Sequence, residues 1–173
     1  EESKTEEEND LGLPGLSSET LLHPSTLIPP LNWSMVSKGI FRSGYPILCN
    51  YGFLESMELK TVLCLCPESL KFESRAWLRE RKISFFEINI GDNREPFISM
   101  NGGAMKQCVS LLTDQTKHPM LVHCIDGKNK SSCVVGCFRK LQGWCLSAIF
   151  EEFQRFSDNS ESNILDYQFI ELW

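Results

Sequence analysis

The sequence predicts an α/β fold, a three-layer α/β/α sandwich with a mostly parallel central sheet. Three observations support this prediction. Short runs of strand type alternate with longer stretches of helical periodicity, an order typical of parallel sheets covered by helices on both faces. The run at 61–66 is continuously apolar, as expected for a strand buried on both sides. The length of 173 residues suits one domain with a substantial core.

The predicted elements begin near residue 39 and continue to the end of the chain. The strands are an edge strand at 39–43 and buried strands at 61–66, 83–90 and 119–123. The helices cover 51–57, 70–82, 102–115, 131–141, 146–156 and 163–172. Residues 1–29 are acidic and then rich in Ser, Leu and Pro, without a sustained period. We therefore expect a disordered leader at 1–29 and a single domain at 30–173.

Charge and composition limit the expected partners. Six acids and one base in the first ten residues account for most of the net charge of −6, leaving 17 acids and 16 bases elsewhere. Because a near-neutral domain does not attract polyanions, neither nucleic acid nor a membrane is expected as a partner. With no visible signal peptide or membrane-length apolar run, we expect a cytoplasmic protein. Its eight cysteines are then expected to be thiols, and no zinc-like spacing of Cys and His predicts a metal or another cofactor.

A cysteine follows the third buried strand directly. Cys124 stands between strand 119–123 and a helix expected from Ser131. Unpaired N–H groups and the helix dipole at such a place favour a thiolate and can bind a phosphate, while Gly127 allows the loop to curl inward. The segment thus predicts a nucleophile beside an anion site, able to form a cysteinyl-phosphate, with Ser131 stabilising the sulfur. On residue type alone, a buried cysteine followed by an ordinary turn remains an alternative.

These motifs also carry a resemblance to a known family. His123 and Cys124, followed by Gly127, Lys128 and the hydroxyl residue Ser131, resemble the signature of the protein tyrosine phosphatase superfamily. The chain from residue 30 onwards is more specifically similar to the plant and fungal atypical dual-specificity phosphatases. The matching stretches are 29–33, 39–46, 65–68, 93–97, 135–142, 144–146, 149–150 and 153–156.

The resemblance implies a fold of the cysteine-phosphatase type and a function in removing phosphate groups. The implied substrates are inositol pyrophosphates or phosphotyrosine, so the expected partner is a phosphorylated small molecule or a phosphoprotein, with a protein of the same family as a further possible partner. The catalytic residues would be Cys124, Lys130 and Ser131, with Asp92 or Glu95 as the general acid. The phosphate-binding residues would be Ile125, Asp126, Gly127, Lys128, Asn129, Lys130 and Arg94.

The signature departs from the family pattern at several positions. Lys130 stands where the superfamily has an arginine, and a lysine point charge does not reproduce the two-pronged binding of a phosphate by a guanidinium. Relatives usually carry basic residues after the cysteine and a histidine before the arginine, whereas this chain has Ile125, Asp126 and Asn129. A carboxylate at Asp126 repels a polyanionic substrate. The acidic residue of the 91–97 segment is also displaced by one place.

Three functions stay open on the sequence. One is a phosphatase with weakened turnover, and the second is a pseudophosphatase that serves as a phosphate-binding or regulatory subunit. The third is a redox role for the same loop, for which only Cys133 lies nearby as a second thiol. Arg42 could reach a phosphate, although an ion pair at the surface or sheet edge is the commoner role for such a residue.

Overall fold

A computed structural model describes residues 26–66, 70–93, 100–157 and 163–173. Its sheet has five strands in the order β1-β2-β5-β3-β4, of which only the β1–β2 pair is antiparallel. The strands are β1 (Ser34–Ser37), β2 (Ile40–Ser43), β3 (Thr61–Cys64), β4 (Ser84–Glu87) and β5 (Met120–His123). The helices are α1 (Tyr51–Ser56), α2 (Phe72–Glu80), α3 (Gly102–Thr113), α4 (Asn129–Leu141), α5 (Leu146–Gln154) and α6 (Asn163–Leu172). The predicted α/β fold with a mostly parallel sheet is confirmed.

The strand predicted at 39–43 is present as β2, but the prediction that it lies at the sheet edge is wrong, because β1 lies outside it. β2 pairs with β1 on one side and with β5 on the other. β1 is four residues long and only one of them, Val36, is buried, so it lacks the apolar run by which the other strands are recognised. Gly39 takes φ +77° in the short connection between the two strands, which is the turn signal for this hairpin.

The sheet separates two apolar cores. Side chains alternate along each strand, so Leu63 and Leu65 face one core while Val62 and Cys64 face the other. The larger core packs the sheet against α3, α4, α5 and α6. The smaller core packs it against α1 and α2. This arrangement is the expected three-layer sandwich, and within the described ranges every helix falls short of the length and apolar character that crossing a bilayer requires.

The parallel strands end at the same level. His123, the last residue of β5, stands opposite Ser43 at the end of β2 and opposite Cys64 at the end of β3. β5 lies at the centre of the sheet, so the chain that follows it emerges at the middle of the carboxyl edge. Ligand sites of parallel α/β sheets form at this edge.

Candidate active site

The loop from Cys124 to Lys128 connects β5 to α4 at the carboxyl edge of the sheet. Gly127 takes φ +75°, a conformation that side chains with a Cβ rarely adopt. A Cβ at Gly127 would lie 2.5 Å from the Gly44 nitrogen and 2.7 Å from the Ser43 carbonyl carbon. The loop therefore packs backbone against backbone on the end of β2.

Hydrogen bonds fix the same loop to the segments around β2. The Tyr45 N–H donates to the Ile125 carbonyl at 2.9 Å, and the Asn32 side-chain amide donates to the Asp126 carbonyl at 2.8 Å. Ile125 is 65% exposed, and the contact described for it is the hydrogen bond to its backbone carbonyl. These contacts give the loop one shape before any ligand is present.

The nucleophile candidate lies at the base of the loop. Cys124 is only 2% exposed, and its Sγ accepts a hydrogen bond from the Gly127 N–H at 3.2 Å. The hydroxyl oxygen of Ser131 lies 3.7 Å from the same sulfur. A backbone N–H and a hydroxyl at these distances can stabilise a thiolate, which is the reactive form of a cysteine. The structure thus brings together three of the residues predicted for the site.

Asp126 turns its carboxylate toward the sulfur. Its Oδ1 lies 3.4 Å from Cys124 Sγ and accepts a hydrogen bond from the Lys128 N–H at 2.9 Å. A carboxylate is itself an anion, and this one uses a backbone donor that an incoming phosphate would need. The side chain that was predicted to repel a polyanion therefore already occupies a backbone donor of the loop.

Lys130 is held by a second carboxylate. Its Nζ lies 2.9 Å from Asp92 Oδ1, with the Lys130 side chain 15% exposed and that of Asp92 44% exposed. Asp92, one of the two residues predicted as the general acid, is thereby placed beside the loop. Its partner Lys130 is the residue that stands where the superfamily has an arginine. The other predicted acid, Glu95, and the predicted phosphate ligand Arg94 lie outside the described residues.

The side chain of Asn129 binds α6, whereas its predicted role in binding phosphate stays a prediction. Its side-chain amide donates to Asp166 Oδ2 and to Asn163 Oδ1 of α6, each at 3.0 Å, and so it is directed away from the loop centre. Asn93 donates to the other oxygen of Asp166 at 2.9 Å. Burial raises the pKa of Asp166 above its usual value. This buried carboxylate connects α4, α6 and the segment that carries Asp92. Because the connected residues are far apart in the sequence, no local sequence pattern predicts the connection.

Arg42 lies beneath the loop and was not predicted there. It is 1% exposed, and its guanidinium stands 3.8 Å from the centre of the Phe156 ring. Burial is the main cause that lowers its pKa from 12.5 to about 10, so the side chain still carries its charge at neutral pH. Arg42 is therefore not the surface or sheet-edge residue that the sequence suggested. Its guanidinium lies on the side of the loop that faces the sheet. The available signal was a charged residue inside a predicted strand.

Three residues near the loop have metal-ligand chemistry. Cys64, Cys66 and His123 are buried, and their ligand atoms lie within 4.8 Å of one another. Hydrogen bonding from Cys66, and secondarily from His123, lowers the pKa of the Cys64 thiol to about 5 and raises that of Cys66. Closed zinc sites have four ligands, and within the described residues no fourth ligand joins this group. The group was missed because β3 and β5 are far apart in sequence, but as it stands it does not define a metal site.

Comparison with known proteins agrees with this geometry. The pattern of the tyrosine phosphatase family matches residues 27–173. Inositol diphosphatase DSP1 of Oryza sativa subsp. japonica is 42% identical over 147 residues, covering 85% of this chain and 66% of its own length. Inositol diphosphatase DSP4 of Arabidopsis thaliana is 41% identical over 146 residues, covering 84% of this chain and 73% of its own length.

A solved structure gives the same result in three dimensions. The catalytic core of Siw14 superposes with a TM-score of 0.79 at 34% identity, covering 86% of this chain and 88% of that core. Inositol diphosphatase SIW14 of Saccharomyces cerevisiae is 36% identical over 148 residues, covering 85% of this chain and 52% of its own length. This chain belongs to the tyrosine phosphatase family, within the group of plant and fungal atypical dual-specificity phosphatases.

Proposed function

We propose that this chain is a cysteine-dependent phosphatase that removes phosphate or pyrophosphate groups with weakened turnover. The observation that carries the proposal is Cys124 Sγ at the base of the loop, with the Gly127 N–H and the Ser131 hydroxyl beside it. The named activity of the relatives supports inositol pyrophosphates as the substrate class. A phosphotyrosine-type substrate is the second candidate, because an aryl phosphate brings less negative charge to a loop that holds Asp126.

The reaction would proceed in two steps. The Cys124 thiolate attacks phosphorus, a P–S bond forms, and the P–O bond to the leaving group breaks. The leaving oxygen takes a proton from an acid or from water. Water then attacks the cysteinyl-phosphate, phosphate leaves, and the thiolate returns, with Ser131 stabilising the sulfur as it departs.

Two features weaken this chemistry. Losing a preorganised donor to the transition state costs about 2.7–4 kcal/mol, or roughly 10²–10³ in rate, and Lys130 lacks the fork of an arginine. Asp92 accepts a charge-assisted hydrogen bond from Lys130, so it can serve as a general acid only after it releases that partner. The substrate must also displace Asp126 from the Lys128 N–H.

The same two carboxylates support a second candidate, a pseudophosphatase that acts as a phosphate-binding or regulatory subunit. Both the Lys130 ammonium and the Lys128 N–H are already occupied by groups of this chain. A protein of the same family would then be the partner. This alternative predicts binding of phosphate without turnover.

A single-turnover assay separates the two candidates. Purified protein is mixed with a diphosphoinositol polyphosphate or a small aryl phosphate, beside Cys124→Ser and Cys108→Ser variants. Cys108 is a fully buried cysteine of α3 and controls for the general effect of replacing a core thiol. Product in the wild type and in Cys108→Ser but not in Cys124→Ser supports the phosphatase, and the ratio of the two substrates assigns the class. Absence of product together with calorimetric binding of phosphate supports the pseudophosphatase.

A further inference from the structure

One nitrogen of Arg42 contacts four acceptors of the loop and of the first turn of α4. Arg42 Nη2 donates to the carbonyls of Gly127 at 2.8 Å and Lys128 at 3.2 Å. It also lies 2.9 Å from the hydroxyl oxygen of Ser131 and 2.7 Å from that of Ser132. Placing a cation in the interior is costly unless its surroundings compensate for the lost water. Here the hydrogen bonds come from the loop and the first turn of α4 through Nη2 alone, while Nε and Nη1 have no hydrogen-bond partner among the described residues and the Phe156 ring faces the guanidinium.

The carbonyl contacts bear on where the loop N–H groups point. The Gly127 carbonyl is held by Arg42, and the Lys128 carbonyl is held both by Arg42 and by the Ser132 N–H of α4 at 3.0 Å. In a trans peptide the C=O and the next N–H have opposite directions. Because the carbonyls of Gly127 and Lys128 face Arg42, the N–H groups of Lys128 and Asn129 face the opposite side. The structure supports this direction, since the Lys128 N–H meets the Asp126 carboxylate there. Arg42 thus lies behind a surface of donors that faces an anion.

The hydroxyl contact acts on the sulfur. Arg42 Nη2 shares its two hydrogens among four acceptors, of which Ser131 Oγ is one, so the proton of that hydroxyl points elsewhere. The Ser131 hydroxyl donates to the Lys128 carbonyl at 3.2 Å, and the Cys124 thiol donates to Ser131 Oγ at 3.7 Å. Once the thiol has lost its proton, Sγ becomes an acceptor for the Ser131 hydroxyl. The guanidinium charge and a charge on Cys124 attract each other as well.

We propose that Arg42 is a positioning residue for the phosphate loop, which holds the Gly127 and Lys128 carbonyls away from the anion and orients the Ser131 hydroxyl toward Cys124. Arg42 contacts neither substrate nor sulfur in this role. Its effect on phosphate binding rests on the proposed function, whereas its effect on the reactivity of Cys124 does not.

The test compares Arg42→Met, Arg42→Gln and Arg42→Lys with Arg139→Met. Arg139 is the matched control, because it is also buried, at 6% exposed, but its side chain bonds Glu152 and the Val36 carbonyl and not the loop; the charge of Glu152 also acts on Arg42. The first readout is the rate at which iodoacetamide labels Cys124, followed by mass spectrometry of its peptide. Exposed Cys49 and Cys145 are replaced by Ser in every variant to prevent competing labelling. The second readout is the calorimetric affinity for inorganic phosphate in a Cys124→Ser background.

We expect Arg42→Met and Arg42→Gln to lower both the labelling rate of Cys124 and the affinity for phosphate roughly tenfold or more, because charge-assisted hydrogen bonds to the loop are lost. Arg42→Lys should restore part of the loss, since a single nitrogen makes all four contacts. Arg139→Met should lower the urea midpoint but leave both values within about twofold for the folded protein.

The proposal is overturned if folded Arg42→Met or Arg42→Gln labels Cys124 at the wild-type rate, or if Arg139→Met lowers that rate equally. Arg42→Gln keeps an amide donor and serves as the test where Arg42→Met does not fold. If the wild type binds no phosphate, the binding part of the proposed function fails, and the labelling rates still decide the role of Arg42.

Discussion

The 124–130 loop has two sides that differ in the kind of group they meet. On the side facing the sheet, it meets the backbone of Gly44 and the buried guanidinium of Arg42. On the open side, it meets the carboxylates of Asp126 and Asp92. The sheet-facing contacts are fixed by packing and determine the shape of the loop. We expect the open side to determine which anion the loop binds, so that the shape and the chemistry of the loop depend on different residues.

The largest expected effect comes from changing the open side alone. In Lys130→Arg combined with Asp126→Lys, a guanidinium fork replaces a point charge and the competing carboxylate is removed. We expect single-turnover rates to rise roughly 10²–10³-fold, equivalent to about 2.7–4 kcal/mol of transition-state stabilisation. The measurement is product formation from a diphosphoinositol polyphosphate and from an aryl phosphate. Lys106→Arg, at an exposed position of α3, controls for a general effect of the substitution. An unchanged rate would mean that the general acid or the pocket is also deficient.

The next effect breaks the sheet-facing side. In Gly127→Ala, a Cβ must fit 2.5 Å from the Gly44 nitrogen at φ +75°, so we expect unfolding to become easier by about 3 kcal/mol. Gly143→Ala is the matched control, since Gly143 has φ +81° but no atom within 4 Å of the added Cβ. In that variant, the free energy of unfolding should fall by about 1 kcal/mol, from backbone strain alone. Urea unfolding measures both, and equal costs would show that the close approach to β2 is unimportant.

The comparison also explains what the sequence could predict. The strands at 61–66 and 119–123 and the helix at 163–172 were predictable because each has a local apolar pattern. Cys124, Gly127 and Ser131 were predictable because strand, loop and helix follow directly in the chain. β1 was not, because its pattern is short and mostly polar.

The sequence also did not predict which distant segments contact each other. Arg42 and Gly127 are 85 residues apart, and Asn129 and Asp166 are 37 apart. A single sequence gives the residue types at both ends but not the pairing. The Asp92–Lys130 pair is an intermediate case, because the sequence singled out each residue and only the fold joined them.

A smaller effect sharpens the role of Asp126 by itself. Removing the carboxylate in Asp126→Ala frees the Lys128 N–H and removes a negative charge, so phosphate should bind roughly tenfold more tightly, or by about 1.4 kcal/mol. This value allows for screening of an exposed charge by solvent. Asp126→Asn retains an oxygen acceptor without the charge and should give an intermediate affinity. Calorimetry with inorganic phosphate in the Cys124→Ser background measures all three proteins, and equal affinities would exclude competition by Asp126.

The smallest effect concerns Asp166, which supports the loop from α6. Because burial raises its pKa in the folded protein, its protonated form is favoured by folding. The associated stability is complete below the unfolded pKa and is lost as pH rises through the folded pKa. Asp166→Asn cannot titrate, so the wild type should gain stability relative to this variant when the pH is lowered from neutral to mildly acidic. Urea unfolding of both proteins at the two pH values gives the difference.

Asp114 provides a control with a different pH window for this last prediction. Hydrogen bonds from Thr116 lower the pKa of this exposed carboxyl group below its ordinary value of 3.8, so its stability is present above the unfolded pKa and is lost only as pH falls through the folded pKa. Between neutral and mildly acidic pH, the difference between the wild type and Asp114→Asn should therefore stay constant, while the wild type gains stability relative to Asp166→Asn. If both differences change equally, a general effect of acid on the fold explains them. A change for Asp166→Asn alone would locate a titrating group behind the loop, at the carboxylate that holds Asn129 and Asn93 together.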